Sequence, residues 1–234
     1  MCALLPQFAG HDPVEVVILL VLLVICLGLH EVAHAWVALK CGDTTARDLG
    51  RITLNPIAHI DLFMTILIPA ALYLGTSGRM MFGGAKPVPV NFHRLRHPWR
   101  DMSLVALAGP ASNLLLGAFF LAALKFFLTT GLYNGAAEYT EDRVRDFLPG
   151  VLYQAVRFNV LLAVFNMVPI PPLDGSRVMA WLLPESMRES YVNLERFGMY
   201  LVFGLIYLVP SFNYFLHETV DAVIRFLDAL IRIG

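Results

Sequence analysis

The apolar run "VEVVILLVLLVICLGLHEVAHAWVAL" (residues 14–39) constrains this chain more than any other feature. As a helix it is long enough to cross a hydrocarbon core of about 30 Å. After Glu15 its strongly polar residues are confined to one cluster, His30, Glu31 and His34. An ionisable group inside a span costs roughly 2.5 to 3.5 kcal/mol on insertion scales, so three together need a partner.

Their spacing indicates which partner. HExxH on a helix puts two histidines four residues apart on one face, where both imidazoles can bind one zinc ion. Glu31, beside His30, can then act as a base rather than as a ligand. Zinc binds neutral imidazoles and stabilises a nearby carboxylate, whereas a metal-free polar cluster, the alternative, would tend to leave Glu31 protonated. A catalytic zinc takes three protein ligands and keeps one position open. His59, His93, His97 and His217 are candidates by residue type but fall in loops or the tail. Asp174 stands at the end of a span in "PIPPLDG", where prolines stiffen the chain and Gly175 allows it to turn. Capping the helix "LDGSRVMAWLL" is a competing or coexisting role for it.

The rest of the chain fits a polytopic membrane protein. It has 234 residues, 58% hydrophobic and 15% charged, against about a quarter charged in soluble domains. A net charge of −1, with basic residues in short loops, argues against a nucleic-acid partner. Cys2, Cys26 and Cys41 form no CxxC pair, so neither a disulfide framework nor a thiolate zinc site is expected, and Cys26 reads as packing one turn before His30. Residues 1–15 lack Lys and Arg, so the first apolar segment is expected to be a retained transmembrane helix rather than a signal peptide.

Further spans are expected at 102–128, 148–168 and, somewhat short, 194–209. The segment 62–75 is apolar but short, with Pro69 near its centre. Basic residues follow both the first span (Lys40, Arg47, Arg51) and this segment (Arg79, Lys86, Arg94, Arg96, Arg100). A re-entrant hairpin keeps both groups on the cytoplasmic side. The amino terminus is then outside, and Asp174 emerges on the cytoplasmic side at the depth of His30 and His34. Beyond Pro210, the residues Glu218, Asp221, Arg225, Asp228 and Arg232 recur at three- and four-residue steps. They mark an amphipathic C-terminal helix over 212–232, lying at the interface or packing its polar stripe on the bundle. In "GPASN", Gly109 and Ala111 allow a close helix approach, with Asn113 facing a polar interior. Residues 94–100, with Trp99, read as an interfacial anchor. No repeat or linker divides the chain, so residues 1–234 are expected to form a single membrane-embedded domain.

HEVAHAW, "ALAGPASN" and "FNMVPIPPLDGSRV", in that order, resemble the site-2 protease family of intramembrane zinc metalloproteases. The likeness spans residues 14–181 and is nearest to small bacterial and archaeal members without a PDZ or CBS domain. It implies that His30, His34 and Asp174 are the zinc ligands and that Glu31 is the catalytic base. It also implies that Asn166 stabilises the oxyanion, for which an interhelical hydrogen bond is the structural alternative. Ser176 replaces a second glycine found in many members, and Pro-Pro-Leu precedes the aspartate in place of Asn-Pro-x; neither change removes a ligand.

The expected fold is an all-α polytopic membrane protein, a bundle of about four to six transmembrane helices with a re-entrant segment and short β-strands near the active site. Its expected activity is zinc-dependent hydrolysis of peptide bonds in transmembrane or membrane-proximal segments of a membrane-protein substrate. The location implied is a prokaryotic cell membrane, with the active site toward the cytoplasm. A zinc transporter or sensor without proteolysis is the alternative; it would be expected to carry metal-binding side chains along several spans, and here they converge on one site. A substrate helix must unwind before attack. The strand-like "AKPVPVNF" (85–92) could receive it through Lys86, Pro87, Val88, Pro89, Val90 and Asn91, unless its prolines simply blunt a loop edge. Substrate and lipid are the expected partners, and no oligomeric state follows from the sequence.

Overall fold

The computed structural model describes residues 13–75, 83–130 and 142–231. Expectations resting on Cys2, Arg79 and Arg232 lie outside these residues. The first apolar run forms α1 (Pro13–Lys40). It stops where Gly42 takes φ 109° and the Asp43 N–H donates to the Ala38 carbonyl at 2.9 Å, a left-handed termination that suits glycine. A short α2 (Thr45–Asp48) follows.

The segment of uncertain character becomes a π-helical turn, Leu62–Leu67, running into α3 (Ile68–Gly75). Their six and eight residues rise only about 21 Å, too little to cross the hydrocarbon. Its flanks meet: the Lys86 N–H donates to the His59 carbonyl at 2.8 Å, and the Thr65 hydroxyl to the Gly84 carbonyl at 2.6 Å.

Next come α4 (Pro98–Thr129) and α5 (Asp142–Asn166), then α6 (Asp174–Leu182), α7 (Glu185–Val192), a 3-10 turn at Asn193–Phe197, α8 (Gly198–Leu208) and α9 (Pro210–Leu230). Among the described residues three stretches are long and apolar enough to cross a membrane, Leu20–Lys40, Pro98–Thr129 and Leu148–Asn166. The expected span at 194–209 is instead an 11-residue α8 that rises about 17 Å. At Val209, before the imino residue Pro210, the chain bends by 89° into α9. Counting that bent pair as one span raises the total to four, the lower end of the expected range.

Helix α4 is central, packing on α1, α5, α6 and α9. Leu121, Val156, Val160 and Val220 form a core shared by α4, α5 and α9. Val17, Val21 and Ile25 of α1 and Leu115, Phe119 and Phe126 of α4 point outward. An exterior this apolar suits lipid as the solvent. The polar stripe of α9 divides: Asp221 pairs with Arg157 at 2.9 Å and Asp228 with Lys125 at 2.8 Å, while Glu218 and Arg225 stay exposed. Lys125 also donates to the carbonyls of Asp228 and Ile231, so a cation near the end of the second long span caps the carboxyl end of another helix.

No strand forms among the described residues. Residues 83–91 run without regular structure because their amides bond to side chains and loop carbonyls rather than to a neighbouring chain.

Candidate metal centre

Four-residue spacing on α1 places His30 directly below His34, with Nε2 atoms 3.0 Å apart. The sharp turn after α5 delivers Asp174. Hydrogen bonds from the Leu173 N–H to Ile170 O and from the Ser176 N–H to Leu173 O fold residues 168–176 back on themselves. A Cβ at Gly175 would lie 2.8 Å from the Val168 carbonyl oxygen and closer still to Met167, so only glycine admits this turn. Leu173 occupies the N-cap position and Asp174 is the first helical residue. Its Oδ2 lies 3.3 Å from His30 Nε2 and its Oδ1 3.4 Å from His34 Nε2. Among the described residues this is the group whose ligand atoms converge, all within 4.8 Å.

Hydrogen bonding on the far side of each ring decides what the near side offers. His34 Nδ1 lies 2.7 Å from the Val105 carbonyl oxygen, which only accepts, so Nδ1 carries the hydrogen and Nε2 a lone pair. His30 Nδ1 lies 2.6 Å from Asn113 Oδ1, with the same consequence. Asp174 Oδ2 is buried and no hydrogen-bond donor satisfies it. One proton shared between the imidazoles would still leave that oxygen unanswered. A single divalent cation would answer both nitrogens and the carboxylate, and this N2O donor set suits zinc.

Helix α4 forms the opposite wall. A Cβ at Gly109 would stand 2.5 Å from Cε1 of both His30 and His34, so glycine is what lets the helix pass the imidazoles. Ala111, by contrast, is exposed, so the close approach expected at "GPASN" belongs to Gly109.

Glu31 turns away from this wall and accepts the Val88 N–H at 2.7 Å through Oε2. Pro87 and Pro89 flank Val88 and have no N–H, so this run aims one amide at the carboxylate. The inner side of the segment is anchored throughout. Val88 is buried against Ala35 and Ala46, and Val90 packs on Ala38, Leu95 and Val105. The Asn91 N–H donates to Asp43 Oδ2 at 2.6 Å, and the Lys86 carbonyl accepts from Arg51 at 2.9 Å. Lys86, Pro87 and Pro89 face outward. The expected substrate strand is thus an extended ledge tied to the glutamate, with its valines serving the core.

Asn166 ends α5, where its amide donates to the Leu162 carbonyl at 2.9 Å. His59, His93, His97 and His217 stay out of the cluster; His59 is buried, with Nε2 2.9 Å from the Thr53 carbonyl oxygen. Trp99 packs edge-on to Phe92 and beneath Arg188. Cys26 is buried and takes a hydrogen bond from Asn159. The Val105 carbonyl and Asn159 went unrecognised in the sequence. The clue for the first is that Val105, Gly109 and Asn113 share the four-residue step of one helix face.

Two histidines of a spanning helix and an aspartate from the turn into α6 meet beside the HExxH glutamate, an arrangement that suits a membrane-embedded metalloprotease. The comparisons agree. Residues 18–209 match the model of peptidase family M50, and the chain belongs to that family, the site-2 proteases. It is 34% identical over 92% of both chains to the Bacillus subtilis (strain 168) protein named "Putative zinc metalloprotease YwhC". It is 28% identical, over 83% of this chain and 68% of the relative, to "Putative zinc metalloprotease Rip2" of Mycolicibacterium smegmatis. No solved structure matches. The protein is a zinc metalloprotease.

Proposed function

We propose that this protein hydrolyses peptide bonds in transmembrane or membrane-proximal segments of membrane-protein substrates, with His30, His34 and Asp174 as its zinc ligands. The observation that carries this reading is the convergence of two imidazole nitrogens and a buried carboxylate oxygen that no hydrogen-bond donor satisfies, inside an apolar bundle. Zinc, when bound there, makes water nucleophilic near neutral pH and polarises the scissile carbonyl.

The chain's own residues do the rest. The Glu31 carboxylate takes a proton from the attacking water and returns it to the leaving nitrogen as the C–N bond breaks. Asn166 has a second amide hydrogen beyond the one given to Leu162, and donates it to the developing oxyanion. The ledge at Lys86, Pro87, Val88, Pro89, Val90 and Asn91 receives the unwound substrate along its outward edge. Its tie to Glu31 through Val88 supports that role, since it holds peptide-binding edge and base in one register. The metalloprotease domain runs over residues 1–234, with its centre toward the cytoplasmic side of a prokaryotic cell membrane.

The test compares the native protein with Glu31→Gln for zinc content and for cleavage of a model transmembrane substrate in detergent. Zinc in both, with cleavage lowered about 10²- to 10⁴-fold in the variant, is the expected result. Zinc without Glu31-dependent cleavage would move the reading to transport or sensing.

A further inference from the structure

Asn113 and Asn159 are completely buried, at the place where α1, α4 and α5 meet. An amide side chain can sit either way round, and here one backbone group decides. Asn159 Nδ2 lies 2.9 Å from the Ala155 carbonyl oxygen, which only accepts, so the amino end of Asn159 points there and toward Cys26 Sγ, 3.2 Å away. Its Oδ1 therefore faces Asn113 Nδ2, at 3.1 Å. That turns Asn113 Oδ1 toward His30 Nδ1, at 2.6 Å. The polarity of one carbonyl in α5 is thus passed through two side chains to the ring on α1. His34 has its tautomer set directly by the Val105 carbonyl, whereas His30 depends on this two-asparagine relay.

We infer that Asn113, oriented by Asn159, is a positioning residue that holds His30 as its Nδ1–H tautomer and so presents the Nε2 lone pair to zinc. The inference rests on the reading of His30 as a zinc ligand. It differs from simple stitching of helices, which requires hydrogen bonds between the asparagines but no acceptor at His30. A histidine ligand whose far nitrogen lacks its acceptor is free to rotate or to place its hydrogen on the metal-facing nitrogen.

The full chain in detergent is compared as native, Asn113→Leu, Asn113→Asp and Asn159→Leu. Zinc affinity is read by competition with a chromophoric chelator, and the His30 tautomer in the metal-free protein by ¹⁵N-histidine NMR. Asp at 113, as carboxylate or as neutral acid, still offers His30 an oxygen. Asn113→Leu should weaken zinc binding about 10- to 100-fold and give mixed tautomers, while Asn113→Asp stays within about 3-fold of native with the Nδ1–H form. Asn159→Leu should fall between them. Native affinity in Asn113→Leu, or an equal loss in Asn113→Asp, overturns the inference. If Asn113→Leu does not fold, a single tautomer and native affinity in Asn159→Leu overturn it instead. His30→Ala separates the two levels: zinc bound as tightly as in native protein removes His30 as a ligand altogether, whereas its loss, with Asn113→Leu unaffected, removes only the relay.

Discussion

Gly109 shows how closely the site is tailored at the scale of single residues. Its missing side chain is the space that the edges of both imidazoles occupy. Gly109→Ala must push α4 or the rings aside, an overpacking that costs about 1–3 kcal/mol in a well-packed interior. Zinc bound per chain should fall, measurable by metal analysis after dialysis against a weak chelator; full retention with unchanged thermal stability would show that the wall yields. Glu31 shows the complementary case. Its neighbour on the ledge is a main-chain amide, so the identity of residue 88 matters less than its having an N–H, and the flanking prolines restrict where that N–H points.

At the scale of elements, the ledge and α9 are each held by one well-placed charge. Asp43, fully buried, accepts from the Thr45 N–H at 3.0 Å and the Asn91 N–H at 2.6 Å, joining the end of α1 to the end of the ledge. Asp43→Ala strands those donors, and a loss of about 1.5–3 kcal/mol is expected. Hydrogen exchange should accelerate at residues 88–91 while zinc stays bound; unchanged exchange would place the ledge's anchorage elsewhere. Lys125 crosses from α4 to cap α9. Because Asp228 is half exposed, Lys125→Met should remove only about 1 kcal/mol, or about 2–4 °C in Tm, which a thermal melt would detect.

For the molecule as a whole, an ion held by the proposed ligands would act as a cross-link. It would join α1 to the start of α6 against α4, elements separated by more than a hundred residues of chain. Zinc that binds only the folded state adds about 2.7 kcal/mol of stability when free metal is a hundred times Kd. Chelation should therefore lower the melting temperature of native protein but not of His30→Ala; equal shifts in both would mean that the stabilising ion sits elsewhere. The three long helices, the HExxH face and the placement of Asp174 beyond a stiff proline turn were all readable in the sequence. Hydrophobic span length and helical periodicity are local properties that no distant contact needs to supply. The Glu31–Val88 bond, the orientation of His30 through Asn113 and Asn159, and the sharp bend at Val209 between α8 and α9 were decided only by the tertiary structure. A main-chain N–H has the same chemistry at every non-proline position, and a buried asparagine requires a partner without specifying which helix will bring it. Those pairings are set by how α1, α4 and α5 pack, and packing is a property of the assembled bundle.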